Sequence, residues 1–463
     1  MTIQEELARF TSALEPATIP DEIRHKAHAC LLNGYGIAMA GLATPYEPVA
    51  RAAALSMYGG TGYGGRGEAT LLGRGEATLL GSGEKTSVTG AALANGALFH
   101  GRGQEDTCGA AHLGAVMIPL LMALIESGRG RLDDLIPAMI AGYETGGLFE
   151  ELLAGDTTPK GFRATTIYGV GAAAAAVARL YRLDATRTSA ALGNAVSFSG
   201  GLLQCFAEGT DEWRYQVGVT AQAGWSAAEL ARAGSVSLRE GYEGAKGLAR
   251  AFAGRGLDAA AVKARIGRDW QTQRVAFKPF PVCAFNQTPV TAALALREKL
   301  GGRRVESAVV RMNPYECGYA GMDSKGPFST IGGTLMSIPF CIAQTLLRGA
   351  PSMAMMTEYH DPEINALVER VDLVADEGVP TLCCRIELRL EGGEALTEAC
   401  DMTPADYVWS FDDLRARLER TAAQEDLPAD CIAGLAAFCA DPAGVGIAAL
   451  NAAFDRARPL IRR

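Results

Sequence analysis

From residue 2 to about residue 264 the chain repeats one pattern: apolar residues at three- and four-residue spacing, with Ala and Gly filling many of the apolar positions. That period belongs to helices that bury one face. Pro20-Asp21-Glu22 marks a helix start with acidic residues in its first turn, and 23–39 continues it. Further helical stretches follow at 91–99, 116–127, 132–143, 169–180, 188–198 and 219–233. Small residues let helix axes approach closely, so the expected product is a tightly packed bundle. Recurring Arg, Asp and Glu interrupt every apolar stretch before it reaches the roughly 20 residues a membrane-spanning helix needs.

The period changes after about Trp270. Segments 305–312, 371–375, 382–390 and 395–400 have strand character and alternate with helical stretches at 287–299, 331–347 and 362–370. From Phe411 the helical pattern returns. A chain of 463 residues exceeds what one compact core usually holds. The expected architecture is therefore mainly α: a large all-α domain begun by 1–268, a smaller inserted α+β domain at 269–408, and C-terminal helices at 409–463 returning to the first domain.

Charge and cysteine usage narrow the function classes. The formal charge is −9 and no basic, aromatic-interleaved run is present, which argues against nucleic acid as a partner. A small anionic substrate remains compatible, since a few Arg or Lys in a pocket suffice for a carboxylate. The eleven cysteines form no CxxC pair and no clustered ligand set, so neither a metal nor a disulfide framework is expected. The first fifteen residues lack the basic and apolar regions of a signal peptide, and the expectation is a cytosolic protein without membrane attachment. An eight-residue tandem duplication, 65–72 and 73–80, suits a hairpin or extended loop.

Five polar segments interrupt the apolar helices. His100-Gly-Arg-Gly-Gln-Glu-Asp106-Thr107-Cys-Gly-Ala-Ala-His112 holds two of the five histidines, and His112 is the natural proton-transfer candidate. In 160–171, Arg163 is placed to bind a carboxylate and Tyr168 lies where the next helix begins. Trp213 and Arg214 fall in 208–218, between two small-residue helices. Phe277-Lys278-Pro-Phe-Pro281-Val-Cys283-Ala-Phe-Asn286 sits at the expected domain junction, where two prolines stiffen the backbone around a lysine. The glycine-rich stretch 315–328 contributes Tyr319 and Lys325. Each segment taken alone is equally a solvated loop.

Their order and spacing resemble the MmgE/PrpD family over roughly residues 8–418. The run 92–100, then Glu105-Asp106-Thr107, then His112-Leu-Gly-Ala-Val is similar to that family's active-site loop, and Lys278-Pro-Phe-Pro281 is the most specific piece. The resemblance implies a large all-α domain, a smaller α+β lid, an active site between them, a homodimer, and chemistry without metal or other cofactor. It also implies functional roles for His112, Thr107 and Lys278, with Asp106 matching an acidic position of the family loop. There are departures: Gly103 stands where an aspartate is usual, Arg163 where a histidine is, and Trp213 where a lysine is common. Ala284 and Asn286 stand where an arginine and a histidine often follow the cysteine.

Known members of that family eliminate, decarboxylate or epimerise small polycarboxylic acids. Their shared step is proton transfer at a carbon next to a carboxylate, which needs a base and cations where charge develops. His112 is the first candidate base and Lys278 the second, with Tyr319 as a possible acid and Asp106 and Thr107 in the loop. Arg163, Arg214, Trp213, Tyr168, Cys283, Asn286 and Lys325 are the candidate substrate contacts. The substitutions point to an anionic substrate with a bulkier or less charged second end. On this reading Arg163→Ala weakens binding and His112→Ala lowers turnover. The alternative is a member that kept the fold and lost the site, acting as a binder or partner subunit.

Overall fold

The computed structural model describes residues 1–61 and 75–458. The first copy of the tandem duplication lies outside the described residues. Of the second copy, Ala77–Thr78 forms a two-residue strand paired antiparallel with Lys85–Thr86. The fold is mainly α, with one four-stranded sheet. The chain divides into two compact units, one made of 1–201, 214–275 and 409–463, the other of 202–213 and 276–408.

Helices build the first unit because their apolar faces have nowhere else to go. In Leu113–Glu126 every residue from Leu113 to Ile125 is buried, and all of Ala164–Leu180 is buried, including a run of five alanines. Both pack against Leu135–Thr157. Glycine permits the close approach the sequence suggests. A Cβ on Gly142 would lie 1.9 Å from Met117 Sδ and 2.9 Å from the Ala172 carbonyl. The C-terminal helices Phe411–Gln424 and Ala429–Ala440 pack on Asp21–Ala40 and complete this unit. No helix among the described residues is long and apolar enough to cross a membrane, and all eleven cysteines are free thiols.

The second unit is an α+β layer. Its strands are β1 (Val305–Met312), β2 (Val371–Ala375), β3 (Cys383–Leu390) and β4 (Ala395–Asp401), in the order β2-β1-β3-β4. β1 is parallel to β2, with Ala308 opposite Val371, and antiparallel to β3, with Val310 opposite Ile386. β4 closes the edge antiparallel to β3. Burial alternates along β3 from Ile386 to Leu390, as a sheet with one covered face requires. The helix Gln287–Leu300 packs on β3 and β4, and Ile338–Arg348 packs on Gln287–Leu300 and β2. The segment 202–213 also belongs here, although the helical period does not set it apart; its short helix Gln204–Glu208 packs on Ile331–Met336.

One expected helix, 331–347, is two. It breaks at Ser337, which is extended at φ −67° and ψ 117° and accepts a hydrogen bond from the Phe340 N–H. Pro339 is the cause: it has no N–H for the Leu335 carbonyl, and its ring crowds that carbonyl. The Leu335 oxygen is taken up instead by the Cys283 N–H at 3.0 Å and Asn286 Nδ2 at 2.8 Å.

Candidate active site

The loop between Val88–Phe99 and Leu113–Glu126 is built rigidly. His100 caps the first helix and His112 is the N-cap of the second. Gly103 turns the chain at φ +65°, in the left-handed region that glycine enters without strain. Arg102 is buried and donates to the Ala40 carbonyl at 3.2 Å and to Glu425 Oε1 at 2.5 Å, both in the first unit. The loop is thereby tied to two other helical segments.

Within it, Glu105 stands between the two histidines. Its Oε2 lies 3.1 Å from His100 Nδ1 and its Oε1 3.1 Å from His112 Nδ1. The imidazole rings are 5.0 Å apart, centre to centre. His112 Nδ1 also lies 3.0 Å from the Asp106 backbone oxygen. Both neighbours of that nitrogen are acceptors, so it carries the hydrogen, and protonation changes at Nε2. The His100 and Glu105 side chains are buried, whereas that of His112 is 16% exposed. His112 is the member of the group that reaches solvent.

A second helix start adjoins the first. Arg163 is the N-cap of Ala164–Leu180, and Thr165 Oγ1, in its first turn, accepts from the His112 backbone N–H at 3.1 Å. Two helix N-termini, each with the positive end of its dipole, are thus stitched together at His112. Arg163 is 1% exposed. Its Nη1 donates to Gln216 Oε1 at 2.7 Å and its Nη2 to His100 Nε2 at 2.5 Å. The result is one continuous line: Gln216, Arg163, His100, Glu105, His112.

Asp106 contributes to His112 through its backbone. Its carboxylate accepts from the Tyr143 hydroxyl and lies against Gly114. Burial, then the Asp106 charge, pushes the Tyr143 phenol well up. Burial raises the Cys30 thiol to about 12 and lowers the Lys26 ammonium, the latter opposed by Cys30, Asp106 and Cys108. Thr107 Oγ1 donates to the Gly109 carbonyl within the loop. Arg214 is fully buried, with its guanidinium carbon 3.6 Å above the Tyr46 ring and its Nε donating to the Gly101 carbonyl at 3.4 Å. Tyr168 shares a 2.8 Å hydrogen bond with Thr157. These are the six candidate residues of the first unit.

The other six belong to the second unit. Trp213 and Tyr319 join one aromatic cluster through Phe206, at 5.4 Å and 6.0 Å between ring centres, and Phe285 meets Tyr319 edge-on at 5.2 Å. Lys278 is buried and follows Phe277, whose N–H donates to the Tyr407 carbonyl at 2.8 Å. Cys283 and Asn286 bind the carbonyls at the helix break after Leu335. Lys325 is held by Asp372 Oδ1 at 2.9 Å and the Glu369 carbonyl at 3.0 Å. Among the described residues, no group of three or more His, Cys, Asp or Glu has the geometry of a metal site.

Sequence reasoning singled out the His100–His112 segment but not the roles of Glu105 and His100. Gln216 and Tyr143 it missed. Gln216 and Arg163 are 53 positions apart, and no local pattern joins them.

Residues 5–258 match the MmgE/PrpD N-terminal domain and residues 280–403 the MmgE/PrpD C-terminal domain. The chain belongs to the MmgE/PrpD family. Within the family it is similar to the cis-aconitate decarboxylase-like protein oryM of Aspergillus oryzae, 27% identical over 292 residues. That match covers 60% of this chain and 58% of the length of that relative. It is also similar to cis-aconitate decarboxylase of Aspergillus terreus, 24% identical over 434 residues, covering 86% of this chain and 84% of that one. The loop from His100 to His112 falls inside the first matched domain, and the segment Lys278-Pro-Phe-Pro281 straddles the start of the second.

Proposed function

We propose that the protein is a lyase acting on a small polycarboxylic acid, with His112 as the group that carries the proton. The observation that carries this reading is the fixed tautomer of His112: Glu105 and the Asp106 carbonyl hold its Nδ1–H, which leaves protonation to Nε2. A carboxylate behind an imidazole orients the ring and stabilises its cation, so the ring can give and take a proton near neutral pH. The two helix N-termini and the Arg163 guanidinium provide a positive potential that suits an anionic substrate. Family membership and the relatives named as cis-aconitate decarboxylases support a lyase.

Decarboxylation is the reaction favoured within that class. For an unsaturated tricarboxylate such as cis-aconitate, His112 gives its Nε2 proton to the alkene carbon. The double bond shifts by one position as the C–C bond to the departing carboxylate breaks. Its electron pair enters the new double bond and CO2 leaves. His112 is then reprotonated from water. Lys278 as second candidate base, Tyr319 as candidate acid and the homodimer implied by the family are part of the same proposal. Trp213, where a lysine is common in the family, supports a substrate whose second end differs from that of the common members.

The test is NMR in D2O of the purified protein with cis-aconitate, 2-methylcitrate, citrate and iminodisuccinate, together with their monoesters and monoamides. His112→Ala is the control. Deuterium appearing at a carbon next to a carboxylate, with CO2 release and loss of both in the control, is the expected result. Dehydration or epimerisation without CO2 would keep the proton-transfer role and replace the reaction. No exchange with any compound would favour a binding protein that has lost activity.

A further inference from the structure

We propose that Arg163 and His100 form a charge lock for Glu105, keeping His100 neutral and Glu105 ionised so that His112 alone titrates. Both are positioning residues here, acting through Glu105. The proposal deepens the reading of His112 as the proton carrier and rests on it. It replaces a direct substrate contact for Arg163 with an indirect role.

The argument starts from the 2.5 Å between Arg163 Nη2 and His100 Nε2. A guanidinium is a donor only and stays charged at any working pH. A hydrogen on Nε2 would set two donors against each other at that distance, so Nε2 offers its lone pair. The ring's single hydrogen is then on Nδ1, 3.1 Å from Glu105 Oε2. His100 is therefore a neutral spacer with its dipole aligned from the cation to the anion. Gln216 Oε1 accepts from the other arm of Arg163 and fixes its orientation.

Without Arg163, Glu105 would remain a buried carboxylate between two imidazoles. Taking a cation away from one end of a buried line makes its anion less favourable, and the system would respond by taking up a proton. That proton would go to His100, to His112 or to Glu105 itself, and each outcome disturbs the proton carrier. The other charged and titratable groups around the line are Asp106 of the same loop, Tyr143 on Leu135–Thr157, and Lys26 and Cys30 on Asp21–Ala40. Arg214 on Glu212–Arg232 reaches the neighbouring Gly101 carbonyl. Tyr143 donates to Asp106, and Lys26 interacts favourably with Asp106, so these groups serve the far side of the loop. Arg163 is in direct contact with His100.

The experiment is a pH series of long-range 1H–15N spectra on [15N]histidine-labelled protein without substrate, His100 being assigned by the signal lost in His100→Asn. The expected wild-type result is a His100 that keeps the neutral Nδ1–H form across roughly pH 5–8 while His112 titrates. In Arg163→Met, His100 should titrate inside that window, and Arg163→Lys should restore the neutral form. With substrate, Arg163→Met should lower kcat and move the acid limb of the pH profile, with KM changed by less than about threefold. A His100 that titrates in the wild type overturns the proposal. So does an Arg163→Met protein whose KM rises while the His100 signals stay as they were. Should Arg163→Met not fold, the wild-type series alone decides. Should no polycarboxylate be turned over, the lyase reading fails, yet a locked His100 in the spectra still supports the lock.

Discussion

Glu105 Oε1 lies 3.1 Å from Nδ1 of His112, and the same carboxylate faces His100 through its other oxygen at the same distance. One anion thus serves two imidazoles, and only His112 has a solvent-facing share. Glu105→Gln keeps the shape and removes the charge that steadies a protonated His112. The expected effect is a fall in kcat of about a hundredfold, at the lower end of what general acid–base groups supply, with KM nearly unchanged. Steady-state kinetics on the substrate found by NMR checks this. An unchanged kcat would mean that Glu105 serves the fold and not the chemistry.

Gly114 is the residue that lets the loop close. A Cβ there would lie 2.5 Å from Asp106 Oδ1 and 2.7 Å from the Tyr143 hydroxyl oxygen. Both are buried and hydrogen-bonded to one another, so neither can retreat cheaply. Gly114→Ala should destabilise the protein by about 1–3 kcal/mol, the range for overpacking a filled core. It should also lower activity, because the Asp106 carbonyl that holds His112 moves with its side chain. Urea unfolding and kinetics on the same preparation test the pair of effects. Loss of stability with full activity would separate Asp106 from the site.

Much of this was legible in the sequence, and what was not has physical reasons. Helical period located the bundle, and the segment from His100 to His112 stood out because polar residues rarely cluster between such apolar helices. Glu105 was indistinguishable from its acidic neighbour Asp106, since which of two adjacent carboxylates faces a histidine depends on the curvature of the loop. That curvature is set by Gly103 and by Arg102 reaching Ala40 and Glu425. Arg163 looked like a ligand for substrate because an arginine at a helix start is ordinarily exposed. Its burial against His100, 63 positions away, is a tertiary fact. Pro339, by contrast, was a visible breaker inside the expected helix 331–347 and could have divided it.

Glu144 gives the fold a proton linkage. It is buried on Leu135–Thr157 and accepts from the N–H groups of Gln271 and Thr272 at 2.9 Å and from the Thr272 hydroxyl at 2.7 Å. Burial pushes its carboxyl up to about 7, against the lowering effect of those hydrogen bonds. A pKa raised on folding means that the native state holds the proton more tightly. The associated stability is complete below about pH 4.5, the ordinary glutamate value, and is lost as pH rises through about 7. Glu144→Gln removes this linkage, so its stability should vary less across that window, by on the order of a few kcal/mol. Glu47 and Glu316 are also raised to about 7 by burial, so the slope should shrink without vanishing. Urea midpoints at several pH values decide it, and parallel curves for variant and wild type would sink the assignment.

Asn286 stands in the segment after Lys278, where the sequence suggested a substrate contact, and the structure gives its amide another task. Nδ2 donates to the Leu335 carbonyl at 2.8 Å and the Met336 carbonyl at 2.9 Å, the two acceptors stranded where Pro339 breaks the helix. Asn286 is itself fully buried. Asn286→Ala leaves the Met336 oxygen without this donor and Leu335 with the Cys283 N–H and the more distant Cys341 thiol. A buried acceptor left unmatched costs about 1–3 kcal/mol, and that is the expected loss of stability. Asn286→Asp should lose at least as much, because a carboxylate offers no hydrogen and sets a charge against two carbonyl oxygens. The folded fraction of Asn286→Ala should keep its KM within about twofold. A raised KM at unchanged stability would return Asn286 to the substrate and leave the carbonyls of the helix break to be satisfied by water.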